Sequence, residues 1–477
     1  MKDETRRDSA VAPGSAAASE EVVEVRELAA GLRAELDAVY ASASWRITAP
    51  LRSISRALRT RRGSLAPAFD EAAGTDAVAH GLIAEDASAS SPWRPDPATI
   101  AINPRVPLTG CDRPLNSQSL DLHWILPDAA TGSGGGHMTI FRHVRFLEQQ
   151  GHRQTLWLRP PWFHETPEDA RHTIETFYQP IGDRVQVAFL PDEVGSLSGD
   201  AVIATDFWTV YPVLAMGRFR ERFYLVQDYE ADFHPRGAAY QLARNSYTFG
   251  LKALCAGPWL FNKMKSEFGC WAHQWDLAYD PQHYFPRTER APGDPATGSG
   301  ATPSIAFYHR PSTPRRAVEL AVAALRLLHG KAVPFHVHFF GEPLSETPAY
   351  PHTDHGTLDA AGLGALYRGC DLGMVFSATN YSLIPLEMMA CGLPVLELDS
   401  DCARSVFAEG TLFLAQPDPT AIAQVLEAAL ASAERRRQVA EQALSFIAGL
   451  EWERSSRALE QGLLAGLQSP SHADSSG

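Results

Sequence analysis

From Leu120 onward, apolar positions fall into two alternating kinds of run. Short, nearly unbroken ones read as strands buried on both faces: LHWILP, RQTLWL (153–158), RVQVAFL (184–190), DAVIATD (200–206) and RFYLVQD (222–228). After them come SIAFYHRP, FHVHFFG (335–341) and DLGMVFS. Longer runs with a three- and four-residue step separate them: FRHVRFLEQQG, a helical reach over YQLARNSYTFGLKALC and GPWLFNKMKSEFG, then TPRRAVELAVAALRLL, AAGLGALYRGC and TAIAQVLEAAL. Strand alternating with helix predicts parallel sheets with helices on both faces. The Pro/Gly/Thr-rich stretch 287–303 divides the pattern in two. The fold class is therefore α/β, with two doubly wound, Rossmann-like domains facing a cleft.

The predicted boundaries are 96–290 for the first domain and 300–445 for the second. A last helix at 446–467 is expected to cross back onto the first domain. Residues 1–95 form a helical and disordered extension. Within it, Val22, Val25, Leu28, Leu32, Leu36 and Val39 recur as on an amphipathic helix. The following SASWRITAPLRSISRALRTRR carries six arginines and no acid. Such a basic amphipathic segment suits an anionic membrane surface or a partner enzyme, and equally a solvated helix packed on its own protein. Residues 22–62 are thus a candidate contact.

Composition narrows the class. The chain has 477 residues and a net charge of −14, which argues against a general nucleic-acid partner. Its six cysteines form no C-x-x-C pair, so neither a zinc site nor a disulfide framework is suggested. No apolar run is long enough to span a membrane, and the N-terminus lacks a signal-peptide core. A cytoplasmic protein is expected, with peripheral attachment at the inner membrane face as an option.

The candidate chemistry gathers at three strand ends. In Phe376–Leu396, FSATNYSLIPLEMMACGLPVL, a strand ends in a polar loop that feeds a helix, which Gly392 and Pro394 stop. A loop entering a helix N-terminus at the carboxyl edge of a parallel sheet favours phosphate. Glu387, read as lying in the first turn, can accept hydrogen bonds from a ribose diol. An ordinary strand-loop-helix unit is the competing reading. Arg310, Arg315 and Arg316 cluster where another strand meets its helix, with Thr313 as N-cap and Pro314 near N1. Guanidinium groups there suit a diphosphate. The glycine-rich turn Gly132, Gly134, Gly135 and Gly136 permits close backbone approach of a ligand, though it matches neither a Walker A loop nor a dinucleotide fingerprint. His137 follows it, as a ligand contact or a capping residue. Asp206 and Asp228 end their strands, and Tyr229 and Glu230 follow. Complementary halves of this kind suggest an anionic nucleotide-linked ligand on the second domain and another substrate on the first.

The segments GSGGGHMTIFRHVRFLEQQGH, ATDFWTVYPV, YLVQDYEADFHPRGAAYQLARNSYTFG, FYHRPSTPRRAVEL and YSLIPLEMMACGLPVL carry a resemblance. Over roughly residues 120–460 the chain resembles GT-B glycosyltransferases of the large retaining family four, and within it the rhamnosyltransferases of bacterial surface glycans. SASWRITAPLR resembles a segment found beside or within such enzymes. The resemblance implies transfer of L-rhamnose from dTDP-rhamnose, with retention, to a polysaccharide or lipid-linked glycan such as an O-antigen. It implies no cofactor and no metal. Arg310 with Arg315 or Arg316 would neutralise the donor diphosphate, and Tyr381, Ser382 and Leu383 would line the donor site, the last two giving backbone N–H groups to phosphate. Gly135 and Gly136 complete it. Glu387 matches the second acid of the family's E-x7-E pattern, the ribose contact. Asp228, with His137, Tyr229 and Glu230, would face the acceptor. Two departures stand out. Thr379 occupies the first acid's position and Gln227 that of a usual His, so the hexose contact and general base stay unassigned. Such enzymes are thought to let the leaving phosphate deprotonate the acceptor. A transferase of another nucleotide sugar, a sugar-nucleotide-binding scaffold and an NAD-dependent oxidoreductase are the competing classes.

Overall fold

A computed structural model of the chain describes residues 105–128, 135–159, 163–286 and 302–469. The extension 1–95, Gly132, Gly134 and most of the stretch 287–303 lie outside the described residues.

The first domain runs β1 (Asp121–Pro127), α1 (Gly135–Gln149), β2 (Arg153–Arg159), α2 (Pro167–Phe177), β3 (Val185–Phe189), β4 (Ser198–Ala204), α3 (Phe207–Leu214), β5 (Arg218–Val226), α4 (Ala238–Ser246), β6 (Lys252–Ala256), α5 (Gly257–Phe268) and β7 (Ala272–Trp275). Among the described residues its strands form a seven-stranded sheet, order β3-β2-β1-β4-β5-β6-β7. Every pairing is parallel. The helical reach expected after residue 240 is interrupted: KALCA is the buried strand β6 and AHQW the strand β7. Short apolar runs read the same as helix or strand until neighbours are known, and β6 is buried at every position because it lies inside the sheet.

The second domain runs β8 (Ser304–His309), α6 (Val318–Gly330), β9 (His336–Gly341), β10 (His352–Asp354), α7 (Ala360–Gly369), β11 (Leu372–Met374), α8 (Leu383–Ala390), β12 (Val395–Leu398), α9 (Asp401–Val406), β13 (Phe413–Ala415), α10 (Pro419–Ala431) and α11 (Ala433–Ile447). Its six described strands are ordered β10-β9-β8-β11-β12-β13, again all parallel. Alternation along β8 divides the packing. Ile305 and Phe307 enter the core under α6 and α10, whereas Ala306 faces the other way, into a core continuous with the first domain. Leu386, Met388 and Met389 of α8 belong to that shared core.

The last helix, α12 (Trp452–Gln468), packs on the first domain against α1 and β7. Its buried stripe, Ser455, Ser456, Leu459, Gly462, Leu463 and Gly466, is mostly small, which brings the helix axis close. The Lys252 ammonium donates to the Ser469 carbonyl (2.9 Å) and pairs with Glu221 (2.8 Å), capping the helix end with a cation. None of the described helices is long and apolar enough to cross a membrane.

Topology decides where a ligand can sit. In each sheet the chain winds outward, then returns to the far side of its first strand. The crevices open at the carboxyl ends of β1 and β4 in one sheet, and of β8 and β11 in the other. Residues 205–206 leave the first crevice; residues 310–316 and 375–382 leave the second.

Candidate functional site

The arginine cluster forms on a local irregularity. The helix expected from Pro314 does not start there. Pro314–Arg316 is a single 3-10 turn, and Ala317 breaks it at φ 44°, a left-handed conformation for a residue with a Cβ. The α-helix begins only at Val318. The kink aims Arg315 and Arg316 back over the end of β8. Their turn is tied to the neighbouring crevice wall, where the Ala378 amide donates to the Arg315 carbonyl (2.9 Å).

Each guanidinium is held. Arg310 reaches the Tyr308 hydroxyl (3.2 Å) and lies 3.7 Å from Glu342. Arg316 donates to the Ser377 hydroxyl (2.6 Å) and lies over the Tyr308 ring. Arg315 sits over the Phe233 ring, 4.3 Å from its centroid, and 3.7 Å from Asp228, both in the first domain. Burial, then the two neighbouring arginines, push the Arg310 guanidinium down to about 10. Three cations this close, partly desolvated, make a pocket that an anion would stabilise.

The loop after β11 is pinned across the cleft. Asp228 accepts from the Thr379 hydroxyl (2.9 Å) at one oxygen and from the Asn380 amide (2.9 Å) at the other. The Asn380 side chain donates to the Gln227 carbonyl (2.9 Å). Tyr381 inserts its ring against Gly257, whose φ is +85°, and its hydroxyl accepts from the Leu277 amide (3.0 Å). The loop therefore enters α8 with a fixed geometry. Ser382 is the N-cap, but its buried hydroxyl makes no capping bond. Gly135, at the start of α1, lies against the Leu383 side chain, and Gly136 against the Gln227 amide. Two helix N-termini and the arginines thus converge. Gly392 (φ +74°) ends α8, as the sequence pattern predicts.

Glu387 lies in the second turn of α8, not the first as the sequence reading had it, because α8 begins at Leu383. It lines a cavity of about 280 Å³ between the domains, with Arg142, Tyr178, Asp280, Tyr284 and Trp452 among its neighbours. Burial raises the Glu387 carboxyl to about 7, against the hydrogen bond from Tyr284 and the charge of Arg142. Arg142 is itself paired with Asp280 at 2.8 Å. Burial raises the Tyr308 hydroxyl above its ordinary range, against the charges of Arg316 and Arg315 and with those of Glu342 and Glu387.

Several candidates fall elsewhere. Tyr229 and Glu230, expected to face an acceptor, are buried inside the first domain. Tyr229 stacks on Tyr247, 5.5 Å between centroids. Glu230 uses both oxygens internally, accepting from the Tyr224 hydroxyl and the Phe207 amide at 2.8 Å each. Asp206 caps α3 and pairs with Arg159. The His137 ring turns to the Pro127 carbonyl (3.3 Å), and burial lowers its basicity. Sequence reading singles out none of Arg142, Asp280 and Tyr284. They sit in ordinary helix and hinge patterns that become a site only on folding.

Residues 303–427, from β8 into α10, match the family described as WsaF, C-terminal domain. The chain is 28% identical over 348 residues to the O-antigen biosynthesis protein RfbC of Myxococcus xanthus. That match takes in 72% of this chain but 27% of RfbC, so the chain spans about a quarter of that relative. Among solved structures, the sucrose-phosphate synthase of Thermosynechococcus elongatus superposes with a TM-score of 0.56 at 14% identity, covering 72% of this chain and 98% of that one. Anabaena HepE, solved with UDP and glucose, gives 0.53 at 15% over 74% and 100%. WaaG, a glycosyltransferase involved in lipopolysaccharide biosynthesis, gives 0.52 at 12% over 72% and 100%. The fold is of the GT-B type. At these identities the likeness speaks to the fold alone.

Proposed function

We propose that the chain is a glycosyltransferase of surface-polysaccharide synthesis, transferring a hexose from a nucleoside-diphosphate donor. The observation that carries the reading is the convergence of Arg310, Arg315 and Arg316 with the N-termini of α1 and α8 in the interdomain cleft, with Glu387 one turn further along α8. Arginines and helix ends stabilise the charge that grows on a departing diphosphate, and they are already in place before reaction. Glu387 takes the ribose diol. Enclosure between two domains excludes water from the transfer. The similarity to an O-antigen biosynthesis protein supports a surface glycan as product.

The finer reading is L-rhamnose from dTDP-rhamnose, moved with retention, without a cofactor or bound metal, to a glycan or lipid-linked glycan at the inner membrane face. Its support is the sequence resemblance in the glycine turn, the arginine segment and the 381–396 segment. In this reading the leaving phosphate itself accepts the acceptor's proton, so the protein needs no nucleophile. The test is a donor panel of dTDP-rhamnose, UDP-glucose and GDP-mannose, scored by the mass of the transferred sugar and the anomeric configuration of the product. Rhamnose transfer from dTDP-rhamnose with inversion refutes retention. Transfer of another sugar refutes the donor. No transfer and no donor hydrolysis refute the enzyme.

A further inference from the structure

Each clustered arginine has a counterpart, but they differ in origin. Arg310 lies beside Glu342 and Arg316 bonds to Ser377, both in its own domain. Arg315 is held from across the cleft, by the Asp228 carboxylate and the face of Phe233. Asp228 is fixed in turn. One of its oxygens accepts from the Tyr229 amide (2.8 Å) and the Asn380 amide, the other from the Thr379 hydroxyl. The Asp228 side chain is mostly buried, at 16% exposure, so its charge is poorly screened where it faces Arg315.

We propose that Asp228 is a built-in counter-anion that occupies Arg315 when no ligand is bound, and that a nucleoside diphosphate displaces it. This rests on the arginine cluster being the diphosphate site. The carboxylate keeps Arg315 oriented over Phe233 and offsets one of three crowded cations. An incoming phosphate must take the guanidinium from it. The exchange weakens diphosphate binding, which lets the product leave a pocket that would otherwise hold it too tightly. Thr379 and the Asn380 amide keep Asp228 in place when Arg315 departs, so the domain contact survives the exchange. The polar threonine thus has a role where an acid would add a second anion.

The test is a binding cycle with dTDP and UDP, read by calorimetry, on the wild type, D228N, R315Q and the double variant, with melting curves to establish folding. D228N is expected to bind diphosphate about tenfold more tightly, the size of effect seen when a close competing charge is removed. In the R315Q background, the same change is expected to give much less, because the competition runs through Arg315. Thr379→Val keeps the charge and loosens its mooring, so it is expected not to tighten binding. Unchanged or weaker binding by D228N overturns the inference, as does equal tightening without Arg315. A second comparison avoids position 228: Arg315 is already engaged by a carboxylate, whereas Arg316 meets only a neutral hydroxyl, so R315Q is expected to lose less diphosphate affinity than R316Q, and equal losses overturn the inference. A wild type that binds neither dTDP nor UDP refutes the diphosphate site itself, and the exchange with it.

Discussion

Glu387→Gln separates the role of the buried acid from mere packing. Glu387 ionises near 7, raised by burial between the domains. Its ionised fraction is therefore about one tenth at pH 6 and about nine tenths at pH 8. If the carboxylate accepts a hydrogen bond from a ribose diol, the wild type's affinity for a nucleotide sugar rises about tenfold over that range. A hydrogen bond to a charged group contributes about 1.5–3 kcal/mol, so at pH 8 E387Q is expected to lose roughly ten- to a hundredfold in affinity. Glutamine keeps the shape and an acceptor oxygen, so the Tyr284 contact can survive and the loss reports charge. The assay is calorimetry with dTDP-rhamnose and UDP-glucose at pH 6, 7 and 8. A nucleotide sugar is the right probe, because its diphosphate diester keeps its charge over this range. E387Q is expected to be flat with pH. The same rise in both proteins, or a flat wild type, refutes the reasoning.

Other expectations concern stability. Tyr381→Phe removes the acceptor of the buried Leu277 amide at the domain junction; chemical denaturation is expected to show a loss of about 1–3 kcal/mol. In Gly466→Ala, the new Cβ would run into the Phe223 ring, overpacking α12 on the first domain. A loss of about 1–3 kcal/mol is expected, and an unchanged melting temperature contradicts that packing. Burial raises both Glu230 and Glu397 to about 8, well above an unfolded carboxylate. The folded state then holds protons the unfolded state has released. Stability is fully present near pH 4.5 and falls as pH rises towards about 8. Glu397→Gln, which still accepts from the Ser377 and Leu398 amides, is expected to flatten that fall in melting curves recorded between pH 5 and 8.5.

What the sequence determined by itself is local. Alternation of strand and helix and the stop at Gly392 follow from periodicity and from the backbone limits of glycine and proline. They are legible because each is set within a few residues. The arginine segment, too, is legible as charge beside a strand end. The tertiary structure decided the rest, for reasons of register and burial. KALCA is a strand because it lies between two others, a fact no single run of apolar residues contains. Tyr229 and Glu230 follow a strand end yet point inward, because the 3-10 turn after β5 buries them against Tyr224 and Tyr247. Ala317 in a left-handed conformation redirects Arg315 and Arg316, and only packing can hold it there. Above all, Asp228 and Arg315 meet across 87 positions of chain, and Asp228 and Thr379 across 151. Composition places the ingredients of the site at the strand ends. Only closing two sheets over one cleft puts an acid of the first domain beside a cation of the second.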